Sequence, residues 1–231
     1  MTAVERQKES NRILNLCFHG IGTPRRELEP DEDLIWIQEE QFSKILDVIA
    51  NFPDVRITFD DGNASDAAIA LPALRKRDLT ASFFIIYQRI DEPGSLSSED
   101  VRSLVSEGMT IGTHGMRHRH WRIVYGDELR EELVEAAGAI AGVSGRPVRE
   151  AACPFGSYDR RVLRALKQTA HFDRVYTVDG GAASRGAWLQ SRYTVRATDT
   201  PADIERLALA PHGNAVTATV RASKSLVKRW R

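Results

Sequence analysis

Cysteine is nearly absent: only Cys17 and Cys153 occur in 231 residues, in apolar segments far apart in the chain. Two thiols build neither a disulfide framework nor a metal site of cysteine alone, so buried free thiols are the expectation. No apolar run approaches the roughly 18 residues of a membrane span, and Met1 to Asn11 is polar and charged, without the apolar core of an export signal. A cytoplasmic protein is expected on those grounds. Neither sign of charge is in excess, with 32 Lys plus Arg against 32 Asp plus Glu, which removes the usual electrostatic reason to expect nucleic acid as a partner. Internal repeats and low-complexity segments are also missing. What is present, 42% hydrophobic and 28% charged residues, is the composition of a globular domain with a sizeable core. One domain over 1–231 is expected, with a core at about 13–197 and a helical tail at 198–231. The end of that tail sets Arg221, Lys224, Lys228, Arg229 and Arg231 among Val220, Leu226, Val227 and Trp230. Such a basic amphipathic helix is ordinarily a solvated last helix, and contact with a membrane surface is its other use.

Short β-rich runs alternate with stretches of helical spacing. Strands are predicted at 13–19, 55–61, 80–87, 108–114, 147–156, 174–178 and 193–197. Between them, Ile37, Phe42, Ile45, Leu46 and Ile49 mark a helix over 34–50, and Ala67, Ala70, Leu71 and Leu74 mark one over 63–77 with Pro72 inside it. Further helices are expected at 98–107, 127–143, 158–170 and from Thr200, where Pro201 suits a first turn. This alternation implies parallel strands joined by right-handed crossovers. Seven such units point to an incomplete (β/α) barrel, with an open doubly wound sheet as the competitor.

In an α/β barrel the C-terminal ends of the strands converge on one face. Those ends are His19; Asp60-Asp61-Gly62; His114-Gly115-Met116-Arg117-His118; and Cys153-Pro154-Phe155-Gly156. One carboxylate and two imidazoles are a recurrent ligand set for a catalytic divalent metal such as Zn²⁺ with a position left for water. The ion would lower the pKa of that water to about 7 and polarise a carbonyl, and a second carboxylate could take the proton, which is the chemistry of amide or ester hydrolysis. His114 and His118 meet at one point if the residues between them turn back helically. Adjacent residues leaving a strand point to opposite sides, so only one of Asp60 and Asp61 is expected at the ion, and spacing does not say which. Singly, Asp-Asp-Gly also suits a turn, and the histidines also suit a solvated basic loop with His120, Arg119 and Arg122. Their combination argues against both.

The chain resembles the polysaccharide deacetylases with a NodB-homology domain, carbohydrate esterase family four, over roughly 13–197. The motifs stand as Thr58-Phe59-Asp60-Asp61-Gly62, His114-Gly115-Met116-Arg117-His118, and Pro154-Phe155-Gly156 followed by Ser157-Tyr158-Asp159. The resemblance implies a distorted (β/α)7 barrel of the NodB-like kind. It also implies Asp60 as general base, Asp61, His114 and His118 as ligands of a divalent metal, Zn²⁺ first among the choices, and Pro154, Phe155 and Gly156 in the wall of the substrate groove. The implied reaction is hydrolysis of a carbon–nitrogen bond, removing acetyl from an N-acetylated saccharide. Three positions depart from the family pattern. Gly115 replaces a usual hydroxyl residue, and Ala152 stands where many members carry an arginine that orients the base. The late Leu-x-His motif has no clean counterpart, so His19, His171 and His212 are the candidates for general acid. These departures keep two alternatives in view: a hydrolase of non-sugar amides or imides on the same fold, and a non-catalytic saccharide-binding relative. Trp36, Trp121 and Trp188 are the tryptophans that could stack on a sugar ring.

Overall fold

The computed structural model describes residues 11–169 and 172–210, so His171, His212 and the predicted basic end of the tail lie outside the described residues. The strands are β1 (Arg12–Phe18), β2 (Val55–Asp61), β3 (Ala81–Ile85), β4 (Thr110–Thr113), β5 (Glu150–Ala152), β6 (Arg174–Thr177), β7 (Ala183–Ser184) and β8 (Leu189–Thr194). The α-helices are α1 (Glu39–Ile49), α2 (Leu71–Arg75), α3 (Ser98–Ser106), α4 (Gly126–Arg130), α5 (Ala136–Ser144), α6 (Arg160–Thr169) and α7 (Pro201–Leu209).

Seven strands pair in parallel in the order β1, β2, β3, β4, β5, β6, β8, and β8 returns to β1, closing a barrel. Closure decides against the open doubly wound sheet. The narrowest seam is between β4 and β5, where Thr113 opposite Ala151 is the one paired position. β7 runs antiparallel along the start of β1 and fills the connection between β6 and β8, where a crossover helix would complete the last unit. The final barrel strand begins at Leu189, four residues before the start predicted at 193. Its interior positions, Gln190 and Arg192, are fully buried yet polar, so the run lacks the apolar signature of a two-sided buried strand.

Register is set on the outer face of the sheet. Phe18, Phe59 and Phe83 are partners on β1, β2 and β3, and their rings stack at 5.4 and 4.6 Å. Phe42 of α1 meets Phe18 edge-on at 5.3 Å. The α1 face is Phe42, Ile45, Leu46 and Ile49, all buried at helical spacing. Each aromatic pair adds about 0.5–1.5 kcal/mol beyond area burial. Because side chains alternate along a strand, fixing these rings outward sends Cys17, Thr58, Asp60, Ser82 and Phe84 into the barrel, and a slip of one residue would reverse both sets.

Both long predicted helices around the site are interrupted by a wider turn. Between Asp66 and Ala70 the backbone makes a π turn, with the Leu71 N–H donating to the Asp66 carbonyl, and α2 then starts with Pro72 in its first turn, where the missing N–H is tolerated. A second π turn at Glu131–Glu135 separates α4 from α5. The helix predicted over 34–50 starts at Glu39, because Ile37 is drawn out to bridge Ile21. Cys17 and Cys153 are buried free thiols, as expected.

Candidate metal and catalytic site

Asp60 faces into the barrel from β2 together with Thr58, and the strand rule would send Asp61 the other way. It does not, because Asp61 takes a left-handed backbone (φ 78°) and Gly62 follows at φ 75°. Asp is among the few side-chain-bearing residues that tolerate this region. The reversal brings both carboxylates to the mouth of the barrel, at 2% and 3% exposure.

Asp60 is held by an arginine that the linear pattern did not identify. Arg192, wholly buried on β8, donates from Nη1 to Asp60 Oδ1 and from Nη2 to Asp60 Oδ2, each at 2.6 Å. Its Nε donates to the Thr177 carbonyl and Nη1 also to Thr58 Oγ1, and its guanidinium carbon stands 5.4 and 5.7 Å from the rings of Phe84 and Tyr176, which touch each other. Burial pushes the Asp60 carboxyl up, but the charge and hydrogen bonds of Arg192, together with the neighbouring His114 and His19, outweigh it and hold the group far below the usual carboxylate range. The guanidinium that meets Asp60 thus comes from β8, two strands away from β5 in the barrel order, while Ala152 packs with Phe84 and Tyr176.

His114 and His118 converge without a helical turn between them. Gly115 (φ 89°) and His118 (φ 58°) are both left-handed, and the buried Glu132 carboxylate accepts the N–H groups of Met116 and Arg117 at 2.9 and 3.1 Å. A Cβ on Gly115 would fall 2.3 Å from Glu132 Oε2, which accounts for glycine at this departure from the family pattern. Nδ1 of His114 faces the Ala152 carbonyl at 2.9 Å, and Nδ1 of His118 faces the Glu29 carboxylate at 3.1 Å. Both partners are acceptors only, so both Nδ1 atoms carry hydrogen and each Nε2 is turned to Asp61. The separations from Asp61 Oδ1 are 3.6 Å to His114 Nε2 and 3.4 Å to His118 Nε2.

These three atoms fit a metal ion. Two donors about 2.1 Å from an ion and subtending a tetrahedral angle lie about 3.4 Å apart. Asp61 Oδ1 is buried with no hydrogen-bond partner among the described residues. Burial pushes His114 down to about 4, so near neutral pH it offers a lone pair and not a positive charge. Three nearby cleft carboxylates have an arginine: Asp60 has Arg192, Glu32 has Arg26, and Glu29 has Arg89. Among the described residues Asp61 has no arginine of its own, a deficit that a divalent cation would answer. Cys17, His19 and Asp60 also present ligand atoms within 4.8 Å of one another. Asp60 is already neutralised by Arg192, which makes that trio the poorer site.

The mouth opens into a cavity of about 330 Å³ lined by His19, Glu29, Asp60, Asp61, His114, His118 and Phe155, among others. Phe155, half exposed and left-handed (φ 56°), stands with its ring 4.2 Å from that of His118 and 4.1 Å from that of His120. Pro154 and Gly156 are buried beside it and do not line the cavity. His19 lines the cavity with a buried Nδ1 that has no partner. None of the three tryptophans lines it: Trp36 and Trp121 are buried, and Trp188 lies under Lys167 beside α6. Sequence reasoning missed Arg192 and Glu29. Neither belongs to a motif, and each reaches the site only through barrel closure or a loop fold.

A family model described as polysaccharide deacetylase matches residues 48–171, a span that includes Asp60 to His118 and Pro154 to Gly156 but not His19, Glu29 or Arg192. The peptidoglycan-N-acetylglucosamine deacetylase of Bacillus cereus is 27% identical over 148 residues, covering 61% of this chain and 52% of that protein. The chain spans about half the length of the curated relatives it matches. Among solved structures, the Streptococcus pyogenes deacetylase PplD in complex with acetate has a TM-score of 0.75 at 18% identity, covering 85% of this chain and 98% of that one. BC0361, a polysaccharide deacetylase from Bacillus cereus, has a TM-score of 0.75 at 18% identity, covering 85% of this chain and 69% of that one. The fold is shared with both.

Proposed function

Because the chain belongs to the polysaccharide deacetylase family, we propose that it hydrolyses the N-acetyl group of an acetylated sugar or saccharide conjugate, releasing acetate and a free amine, with a divalent metal held by Asp61, His114 and His118. The observation that carries this reading is the unequal treatment of two neighbouring carboxylates. Asp60 has a guanidinium on both oxygens, whereas Asp61 faces two imidazole nitrogens with no cation of its own. Two nitrogens and one oxygen at near-tetrahedral spacing suit Zn²⁺ first. Such an ion would supply Lewis acidity toward the amide carbonyl and lower the pKa of water.

The chain's own groups divide the proton work. Asp60, kept ionised by Arg192, accepts the proton of the attacking water as general base. His19 is the best-placed proton donor for the departing nitrogen, lining the cavity with a ring nitrogen within 4.8 Å of an Asp60 oxygen. Phe155 offers a half-exposed ring beside His118 as a platform for the sugar, with Pro154 and Gly156 holding its backbone. The alternative of a non-catalytic saccharide binder drew on a missing base-orienting arginine and a missing acid. Arg192 at Asp60 and His19 at the mouth support the catalytic reading over that one.

Acetate release from a panel of N-acetylhexosamine conjugates, with and without chelator, tests the assignment. Wild type should release acetate from at least one conjugate and stop on chelation. Asp60→Asn should retain metal and lose roughly 10²–10⁴-fold in rate, and His114→Ala should lose metal. One tightly bound ion per chain with no acetate from any conjugate would assign the protein to the binders.

A further inference from the structure

At the end of the barrel opposite the catalytic mouth, a cavity of about 250 Å³ is lined by the first residues of β2 to β6. That is several times the roughly 30 Å³ that a water occupies in the liquid. Its charged groups do not balance. Arg174 donates to Glu150 Oε1 at 2.9 Å, and Ser82 donates to Glu150 Oε2 at 2.9 Å, so both oxygens of that carboxylate are taken. Arg185 is paired with Asp54. Arg56, which lines the same cavity and is half-buried, has no hydrogen bond or ion pair among the described residues, and its Nη1 is buried without a partner. Burial weighs most against its cation, and Arg174 and Arg185 add to that, while Tyr176 and Glu150 offset part of it. Tyr176 lines the cavity at 1% exposure, and its hydroxyl likewise has no hydrogen bond among the described residues. Burial and Glu150 push that phenol up to about 12, so it remains an O–H donor.

We propose that this second mouth is a binding site for a small oxyanion, a phosphate or carboxylate group, held by Arg56 and the Tyr176 hydroxyl with Arg174 at its rim. Arg56 and Arg174 face the single carboxylate of Glu150 there, so one positive charge is left over among the lining residues, and the complementary ligand is an acceptor group with negative charge. Water satisfies the hydrogen bonds but not the charge. The two cavities have no lining residue in common, although Tyr176 also packs on Arg192, and the inference stands whether or not the chain deacetylates sugars.

Calorimetric titration and thermal melts of the full chain with inorganic phosphate and, separately, with acetate, each against sodium chloride at matched ionic strength, test the site. Saturable binding and a saturable rise in Tm are expected for at least one anion, and the anion that gives them identifies phosphate or carboxylate as the natural group. Arg56→Gln should weaken that binding on the order of tenfold or more, the loss of one charge-assisted hydrogen bond. The same variant should melt no lower than wild type in anion-free buffer, since it removes an unpaired charge. Tyr176→Phe keeps the ring and should weaken binding several-fold. No saturable response to either anion beyond the chloride control overturns the proposal. So does a response of equal midpoint in Arg56→Gln, which would place the anion at the catalytic metal or elsewhere.

Discussion

Replacing Arg192 by methionine, similar in length and apolar, removes the guanidinium from both oxygens of a carboxylate that is 2% exposed. Breaking a buried ion pair by deleting one partner costs about 3–5 kcal/mol. For a chain of this size 1 kcal/mol corresponds to about 2–4 °C in Tm, so Arg192→Met should melt roughly 6–20 °C below wild type at neutral pH. The pH dependence gives a sharper test. In wild type the folded-state pKa of Asp60 is depressed, so its contribution to stability is complete above the unfolded value of about 3.9 and is lost only as pH falls through the much lower folded value. In Arg192→Met burial remains without the cation that opposed it, and the folded-state pKa moves above the unfolded one. Stability is then greatest below about pH 3.9 and is lost as pH rises. The Tm deficit of the variant should therefore narrow from pH 7 to pH 4. Asp60→Asn combined with Arg192→Met should recover much of the loss, giving a coupling energy of about 3 kcal/mol or more in denaturant melts. A coupling below about 1 kcal/mol, or a deficit that does not change with pH, would refute the account of Asp60 given above.

Glu29→Gln and Glu29→Ala remove the carboxylate that faces His118 Nδ1 at 3.1 Å and should weaken metal binding about 10–100-fold in chelator competition, with the alanine variant the weaker; wild-type affinity in both would remove Glu29 from any role at the ion. Gly115→Ser places a Cβ at a φ of 89° and within 2.3 Å of Glu132 Oε2, so it should cost at least about 1–3 kcal/mol in denaturant melts and displace His118, seen as loss of bound metal. Phe155→Gly relieves a left-handed φ of 56° at a half-exposed ring. It should raise stability by about 1 kcal/mol while lowering kcat/KM on a sugar substrate about tenfold, and a variant that loses stability and keeps its rate would contradict both statements.

How much of this was legible in the sequence follows from the range of each signal. The seven-unit barrel was readable because strand and helix periods are local properties of about ten residues, and the metal candidates were readable because strand ends in a barrel share one face. Boundaries failed where tertiary demands overrode the period. Ile37 left the helical pattern to bridge Ile21, and Gln190 and Arg192 made β8 look like a loop because they serve a polar barrel interior. Arg192 could have been suspected only by asking where the charge of a buried Asp60 is answered, a question that composition and spacing do not pose. Glu29 had no signal at all. It lies in a charged loop, and its contact with His118 spans 89 residues.

On the function proposed above, the adjacency of Asp60 and Asp61 gives a reason for two different cations at one site. Two carboxylates side by side in a dry barrel mouth repel, and each must either take a proton or find a positive charge. If both were given arginines, both would be ionised but neither could bind an exchangeable ion; if both faced the metal, neither would be free to accept a proton. The left-handed backbone at Asp61 separates the two directions within a single peptide unit, sending one carboxylate to a fixed guanidinium inside the barrel and the other to the two imidazoles at its rim. On that account an Asp61→Asn variant should keep the Asp60–Arg192 pair and melt near wild type without metal, yet lose the metal-dependent rise in Tm, whereas Asp60→Asn should keep that rise and lose the rate. Exchanged outcomes for the two variants would mean that the roles of the two carboxylates are reversed.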